Sequence, residues 1–286
     1  METKTDTEHQ ARNVVTSTIQ STLLLFFILF PMIFIDSLIH EGAHLLASWS
    51  PEVTVYLFYV HPFSMDGFVF VYGFGGFTVW ELAAGHVTPV LISLPLFLLL
   101  WRRRSIAILP LVMWFPWTIG SSQWFIGFAQ GIDDFNHILD ITGWPAWPFL
   151  IILSILMVVG MVLFVSFFPL LGLDLKDKRT FFVVPGAFLL YGLVSIIVAY
   201  LFVPGSPADV QLHMGEQLIS STISGILGVL IIAALFILVY FTLFPIVERR
   251  LPATLRTERR NLVWKDLLIP GILCVISIVI GILLIR

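Results

Sequence analysis

The sequence has few charged residues for its length. Of its 286 residues, 12% are charged and 58% are hydrophobic, whereas an ordinary soluble domain has about 25% charged residues. One water-soluble core does not hide that much apolar surface, so the composition predicts an integral membrane protein. The formal net charge is only -3, and this small value argues against nucleic acid as a partner.

Cysteine is nearly absent as well. The single residue, Cys274, lies in an apolar run, which excludes a disulfide framework and a thiolate-rich metal site. We expect Cys274 to be a small buried apolar residue. The N-terminus has no basic start followed by a short apolar stretch and a cleavage site, as a signal peptide would. We therefore expect residues 1–17 to form a polar, solvated tail.

What the sequence has in abundance is long apolar segments. A transmembrane helix needs about 20 predominantly apolar residues, and seven or eight segments are candidates, of which the fourth is short and polar. Their approximate bounds are 18–48, 79–101, 105–119, 122–142, 146–169, 181–203, 219–247 and 266–285. The predicted fold class is an all-α polytopic membrane protein with about 7–8 transmembrane or re-entrant helices. We expect it to be a multi-pass protein of the plasma membrane, in contact with the lipid bilayer.

Residues 51–77 have a different pattern. "EVTVYLFYV" and "GFVFVYGFG" are rich in β-branched and aromatic residues, and "HPFSMDG" between them supplies turn residues. This pattern predicts a short β-hairpin after the first span. Its backbone groups must be covered by protein or water wherever it enters the membrane.

The first apolar segment contains an H-E-x-x-H motif, formed by His40, Glu41 and His44. Residues i and i+4 of a helix lie on one face, so both imidazoles can reach one Zn²⁺ ion. Glu41 lies one step round the helix and is placed to act as general base on a water molecule at the metal. Ionisable side chains are costly in hydrocarbon, and zinc binding would explain their presence. The alternative is that this helix end already lies among the lipid headgroups, where such residues are tolerated.

Other polar residues near the motif leave two interpretations open. Asp36 lies four residues before His40, on the same stripe, and can accept the second ring N–H of His40; alternatively, it caps or lines a polar cavity. Glu81 and His86 lie near the start of the second apolar segment. We expect these two side chains to be interfacial or to support the ligands rather than to bind metal.

A catalytic zinc usually has three protein ligands and one open position, so a third ligand must come from another segment. The fourth segment contains "GIDDFNHILD", with Asp133, Asp134, His137 and Asp140. Asp134 and His137 are i,i+3 neighbours on a helix, as are His137 and Asp140. The sequence favours this segment as the source of the third ligand and leaves the choice among the four residues open.

Together these residues resemble the site-2 protease class of intramembrane zinc metalloproteases. "HEGAHLLASW" resembles the motif helix, and "YGFGGFTVWELAAGHVTPVLISL" resembles the glycine-rich stretch and helix start that follow it. His86 and the Thr88–Pro89 pair stand where the family has Pro and Asn, and the family's L-D-G motif is absent in that form. The resemblance implies Asp134 as the third ligand, with Asp140 and then His137 as alternatives. It implies a metalloprotease-like core over residues 18–142, followed by additional transmembrane helices over 143–286, all in one membrane domain.

The sequence therefore predicts a membrane-embedded zinc metalloprotease. His40, His44 and Asp134 would bind Zn²⁺, and Glu41 would activate water to hydrolyse a membrane-associated polypeptide. The rival hypothesis is a metal or ion transporter, or a membrane metal-binding protein without catalysis, because intramembrane His and Asp residues also serve ion paths.

Overall fold

The computed structural model describes residues 4–49, 54–60, 67–72, 78–103, 105–121, 134–173, 177–202, 233–250 and 259–285. We number the helices and strands of these residues in chain order. The α-helices are α1 (Lys4–Ala47), α2 (Val79–Leu100), α3 (Leu109–Gly120), α4 (Asp134–Thr142), α5 (Trp147–Val165), α6 (Thr180–Phe202), α7 (Phe244–Arg250) and α8 (Leu268–Ile285). The strands are β1 (Thr54–Val60) and β2 (Gly67–Tyr72). Short 3-10 helices span Ile106–Ile108, Phe168–Leu171 and Trp264–Leu267.

Helix α1 is the central element of the structure. It packs against α2, α3, α6 and α8 and also contacts both strands. Leu24, Leu25, Ile28 and Leu29 of α1 are fully buried, and these positions cover more than one face of a helix. In its most apolar stretch, 61% of the residues are buried inside the protein, against 28–33% for the other three long apolar helices. The helix that carries the H-E-x-x-H motif is therefore enclosed by other helices.

The two strands form an antiparallel pair. Thr54 pairs with Tyr72 and Val60 with Gly67, and the register shifts between Val55 and Leu57. Both strands lie against α1, and β1 also lies against α8. This pair falls in the stretch for which the sequence predicts a β-hairpin; residues 61–66, which would form its turn, lie outside the described residues.

Four helical segments are long and apolar enough to cross a membrane, so the structure supports the assignment to the membrane class. They span Asn13–Ala47, Val79–Leu100, Trp147–Val165 and Trp264–Leu283. Three further apolar helical stretches in the described residues are shorter: Ile106–Gly120, Thr180–Ser195 and Ala233–Ile246. The expected total of seven or eight spans remains a prediction.

One boundary differs from that expected from the sequence, and another lies outside the described residues. Helix α1 begins at Lys4 rather than near residue 18, so most of the polar N-terminal stretch continues the helix. Within the segment predicted at 122–142, the structure describes only the nine-residue helix α4; residues 122–133 lie outside the described residues.

Helices α3 and α5 cross at a pair of glycines. A Cβ atom added to Gly160 would lie 2.5 Å from the Cα of Gly120 and 2.7 Å from the carbonyl oxygen of Pro116. Only hydrogen atoms fit between these two backbones. Small residues allow such close helix packing in apolar surroundings, where dispersion contacts drive association.

We expect Gly160→Ala to destabilise the protein, because its methyl group would push α5 away from the backbone of α3. Overpacking of this kind costs roughly 1–3 kcal/mol, to be measured as a lower unfolding midpoint in detergent. The matched control is Gly192→Ala in α6, where a Cβ atom meets no atom of the described residues within 4 Å and alanine favours the helix by about 0.5–1 kcal/mol. Equal midpoints for the two variants would contradict the tight crossing.

Candidate metal centre

His40 and His44 lie one above the other on α1, as the i,i+4 spacing predicts. Their rings are 4.6 Å apart between centroids, edge to face at 81°. The two Nε2 atoms are 3.1 Å apart, so both rings direct the same nitrogen to one point. Their side chains are 18% and 11% exposed, respectively.

Asp134, the first described residue of α4, meets this pair. Its Oδ2 lies 3.4 Å from His40 Nε2 and 3.1 Å from His44 Nε2. Helix α4 reaches this place by packing against α2. The structure thus brings together the three residues that the sequence predicts as metal ligands.

A third histidine reaches the same point from α2. His86 Nε2 lies 3.3 Å from Asp134 Oδ2, and the donor atoms of His40, His86 and Asp134 all lie within 4.8 Å of one another. The His86 ring stacks on Phe135 at 4.7 Å and meets the His40 ring edge to face at 4.8 Å. The sequence predicts an interfacial or supporting role for His86, because a histidine near the start of an apolar segment fits such a position; the structure places its Nε2 among the donor atoms.

The approach of α2 to the histidine pair depends on Gly85. A Cβ atom at this position would collide with the His44 ring, 2.6 Å from Cε1, and would lie 2.8 Å from His40 Cε1. The glycine directly before His86 was therefore the available sequence signal: it marks a close contact between helices in apolar surroundings.

The start of α2 also sets the tautomer of His44. His44 Nδ1 lies 2.7 Å from the backbone carbonyl oxygen of Glu81. A carbonyl oxygen only accepts hydrogen bonds, so Nδ1 carries the hydrogen, and in a neutral imidazole Nε2 then has the lone pair. The Glu81 carboxylate accepts a hydrogen bond from the Thr78 N–H at 2.6 Å in a capping box. Glu81 thus supports the site through its backbone, as a hydrogen-bond partner behind a ligand does.

The donor set fits a metal cation. The lone pair of neutral His44 Nε2 faces a carboxylate oxygen, which is also an acceptor, at 3.1 Å. Two acceptors at this distance repel each other unless the imidazole gains a proton or a cation lies between them. The edge of a tetrahedron of zinc ligands at 2.0–2.1 Å is about 3.3 Å. Four of the six donor-to-donor distances in this cluster, 3.1, 3.1, 3.3 and 3.4 Å, are close to that edge.

Glu41 lies beside the cluster rather than within it. Its side chain is buried, and its Oε1 is 4.0 Å from His40 Nε2. This places a carboxylate near the point where the imidazoles converge, without making it part of the four-atom cluster. The position suits proton transfer to or from a water molecule in the site.

Asp36 has a different role from the one that its spacing to His40 suggested. Its Oδ1 accepts hydrogen bonds from Trp114 Nε1 at 2.9 Å and Thr118 Oγ1 at 3.0 Å, both from α3. The sequence left open a partner of His40 or a residue that caps or lines a polar cavity; these contacts instead make Asp36 a polar link between two helices. Asp36 therefore ties α1 to α3 one turn before the motif.

The alternative third ligands lie elsewhere. His137 and Asp140 are on α4 but exposed, whereas Ile138 of the same helix is buried. Asp133 lies outside the described residues. Of the four candidates in this segment, the structure therefore places Asp134 at the histidines and directs His137 and Asp140 away from the protein interior.

Comparison of the chain with protein-family models, with curated proteins and with solved structures finds no match. The site must therefore be interpreted from its own geometry.

We expect Gly85→Ala to reduce metal binding while the fold is kept, because the new methyl group displaces the rings of His44 and His40. The measurement is zinc content per chain after purification in detergent, together with helicity by circular dichroism. The control, Gly42→Ala, lies inside the H-E-x-x-H motif, and an added Cβ atom there has no atom of the described part of the chain within 4 Å. Zinc loss of the same size in both variants would contradict this account.

We expect Asp134→Asn to lower zinc affinity and Asp140→Asn to leave it unchanged, because only the first carboxylate lies at the histidines. Both substitutions remove one negative charge from α4, so they share any general electrostatic effect. Zinc affinity is measured by competition with a chelating dye. An equal loss in the two variants would show that charge on α4, rather than ligation by Asp134, governs binding.

Proposed function

We propose that the protein is a multi-pass zinc metalloprotease of the plasma membrane that hydrolyses membrane-associated polypeptides. The observation that carries this proposal is the convergence of His40, His44 and Asp134, from two separate helices, with the buried carboxylate of Glu41 beside them. Two histidines and a carboxylate are a usual ligand set for a catalytic zinc.

In this proposal the residues divide the work. Zinc, when bound, supplies Lewis-acid chemistry that polarises the scissile carbonyl and makes water a nucleophile at neutral pH. Glu41 takes a proton from the attacking water as the new C–O bond forms. It then delivers that proton to the amide nitrogen as the C–N bond breaks, so that one carboxylate serves both steps.

Supporting contacts hold the ligands in place for this chemistry. The Glu81 carbonyl orients the His44 ring through Nδ1, and Gly85 lets α2 lie close against both α1 histidines. Partners behind the ligands fix ring orientation and typically account for about 10–100-fold in affinity or activity.

The location of the site supports this substrate class. The motif is on α1, between apolar helices whose outer faces expose large hydrophobic side chains such as Leu98, Leu99 and Ile155. A polypeptide that reaches this site passes between such helices, as a membrane-associated segment would. The order of motif helix, strand pair, second helix and Asp-bearing helix also accords with the proposed likeness to site-2 proteases.

One observation favours a second candidate, a metal transporter or a non-catalytic metal-binding membrane protein. A catalytic zinc keeps an open position, whereas a structural zinc is closed by four protein ligands. His86 brings a fourth donor to the cluster. Zinc flux in proteoliposomes that is independent of Glu41 would support this candidate over the protease.

The decisive variant is Glu41→Gln, which keeps the size of the side chain but removes the base. We expect it to retain zinc and to lose cleavage by at least ~100-fold, the lower end of the usual contribution of acid–base catalysis. Cleavage is measured on a quenched fluorogenic peptide with an apolar segment of about 20 residues. Natural substrates are identified by comparing cells that contain the wild type with cells that contain Glu41→Gln. A membrane protein that is cleaved acquires a new N-terminus only in the cells with the wild type. Equal cleavage by the two proteins would refute the mechanism.

A further inference from the structure

The His86 ring is held in place from two sides. The Phe135 ring stacks on the His86 ring at an interplanar angle of 27°, and the His40 ring meets the His86 ring edge to face at 78°. Its side chain is 5% exposed, so the ring is almost fully enclosed by protein. Phe135 directly follows Asp134, so the same helix end that supplies the carboxylate also aligns the third imidazole.

The position of His86 follows from its neighbour on α2. Gly85 brings the backbone of α2 into contact with the rings of His44 and His40. The side chain of the following residue, His86, therefore reaches the donor atoms over a short distance. His86 Nε2 lies 3.3 Å from Asp134 Oδ2, a distance that matches the two that join this oxygen to the α1 histidines. Position, enclosure and spacing are those of a ligand rather than of an interfacial side chain.

We infer that His86 is a fourth ligand of the metal, which closes the site at rest, and that it must leave for a peptide to be hydrolysed. This inference rests on the proposed function for its second half. Three imidazoles and one carboxylate complete a four-coordinate set, and hydrolysis needs one open position. Of the four ligands, His86 is the one outside the H-E-x-x-H helix and the carboxylate helix.

Helix α2 is weakened at the turn that carries His86. Pro89 has no N–H, so the Gly85 carbonyl cannot receive the usual i→i-4 hydrogen bond from it. Gly85 itself adds backbone freedom at this turn. The turn can therefore shift with the loss of fewer backbone hydrogen bonds than an uninterrupted helix would require, which gives His86 a way to withdraw.

The first test counts the imidazoles bound to zinc by X-ray absorption spectroscopy of the full chain in detergent. We expect three in the wild type, two in His86→Ala and three in the control His137→Ala, which removes an exposed histidine. Zinc affinity of His86→Ala should fall by at least the ~10–100-fold that loss of a supporting contact produces. Two imidazoles in the wild type would overturn the inference, and this result does not depend on whether any variant folds.

The second test measures cleavage of the fluorogenic peptide at saturating zinc. We expect His86→Ala to cleave faster than the wild type, since no ligand has to be displaced; a rate at or below that of the wild type overturns the displacement step. The two proposals fail separately. Three zinc-bound imidazoles without any Glu41-dependent cleavage would support His86 as a ligand and refute the protease. Two zinc-bound imidazoles with Glu41-dependent cleavage would support the protease and refute His86 as a ligand.

Discussion

A carboxylate enclosed by apolar helices needs compensating partners, and the site depends on how Asp134 obtains them. Three imidazole nitrogens lie within 3.4 Å of its Oδ2. Because His44 donates its Nδ1 hydrogen to a backbone carbonyl, the Nε2 of the neutral ring carries a lone pair. The lone pairs of the imidazole nitrogens and of the carboxylate oxygen repel one another. A cation bound at their centre would remove this repulsion, because each of these atoms would then act as a ligand.

Bringing three helices to one point requires small residues where their backbones meet. Gly85 allows α2 to lie close to α1 at the site, and Gly120 and Gly160 allow α3 and α5 to cross closely. Helix α3 is in turn linked to α1 by the hydrogen bonds of Trp114 and Thr118 to Asp36. The site is thus supported by close packing on one side and a polar link on the other, and both act on the helix that carries the motif.

The part of the site that the sequence predicts is the part encoded by local spacing. The i,i+4 histidines necessarily share a face of α1, and chain order indicated the segment of the third ligand. Local spacing did not identify which face of α4 turns inward: Asp134 and the buried Ile138 lie four residues apart on that face, whereas His137 is exposed. The sequence did not predict that His86 meets the other donor atoms. That contact depends on the position of α2 relative to α1, which is a long-range property that the periodicity of a sequence does not report.

The fourth donor favours a closed metal site, and a closed site opposes both hydrolysis and transport. A transported ion must leave its ligands, and a hydrolytic site must admit water, so either function requires one ligand to withdraw. Glu41 bears on the choice between them. Its buried carboxylate lies 4.0 Å from His40 Nε2, outside the cluster of donors, and burial of a carboxylate is costly. The proposed peptide hydrolysis needs a base at that place.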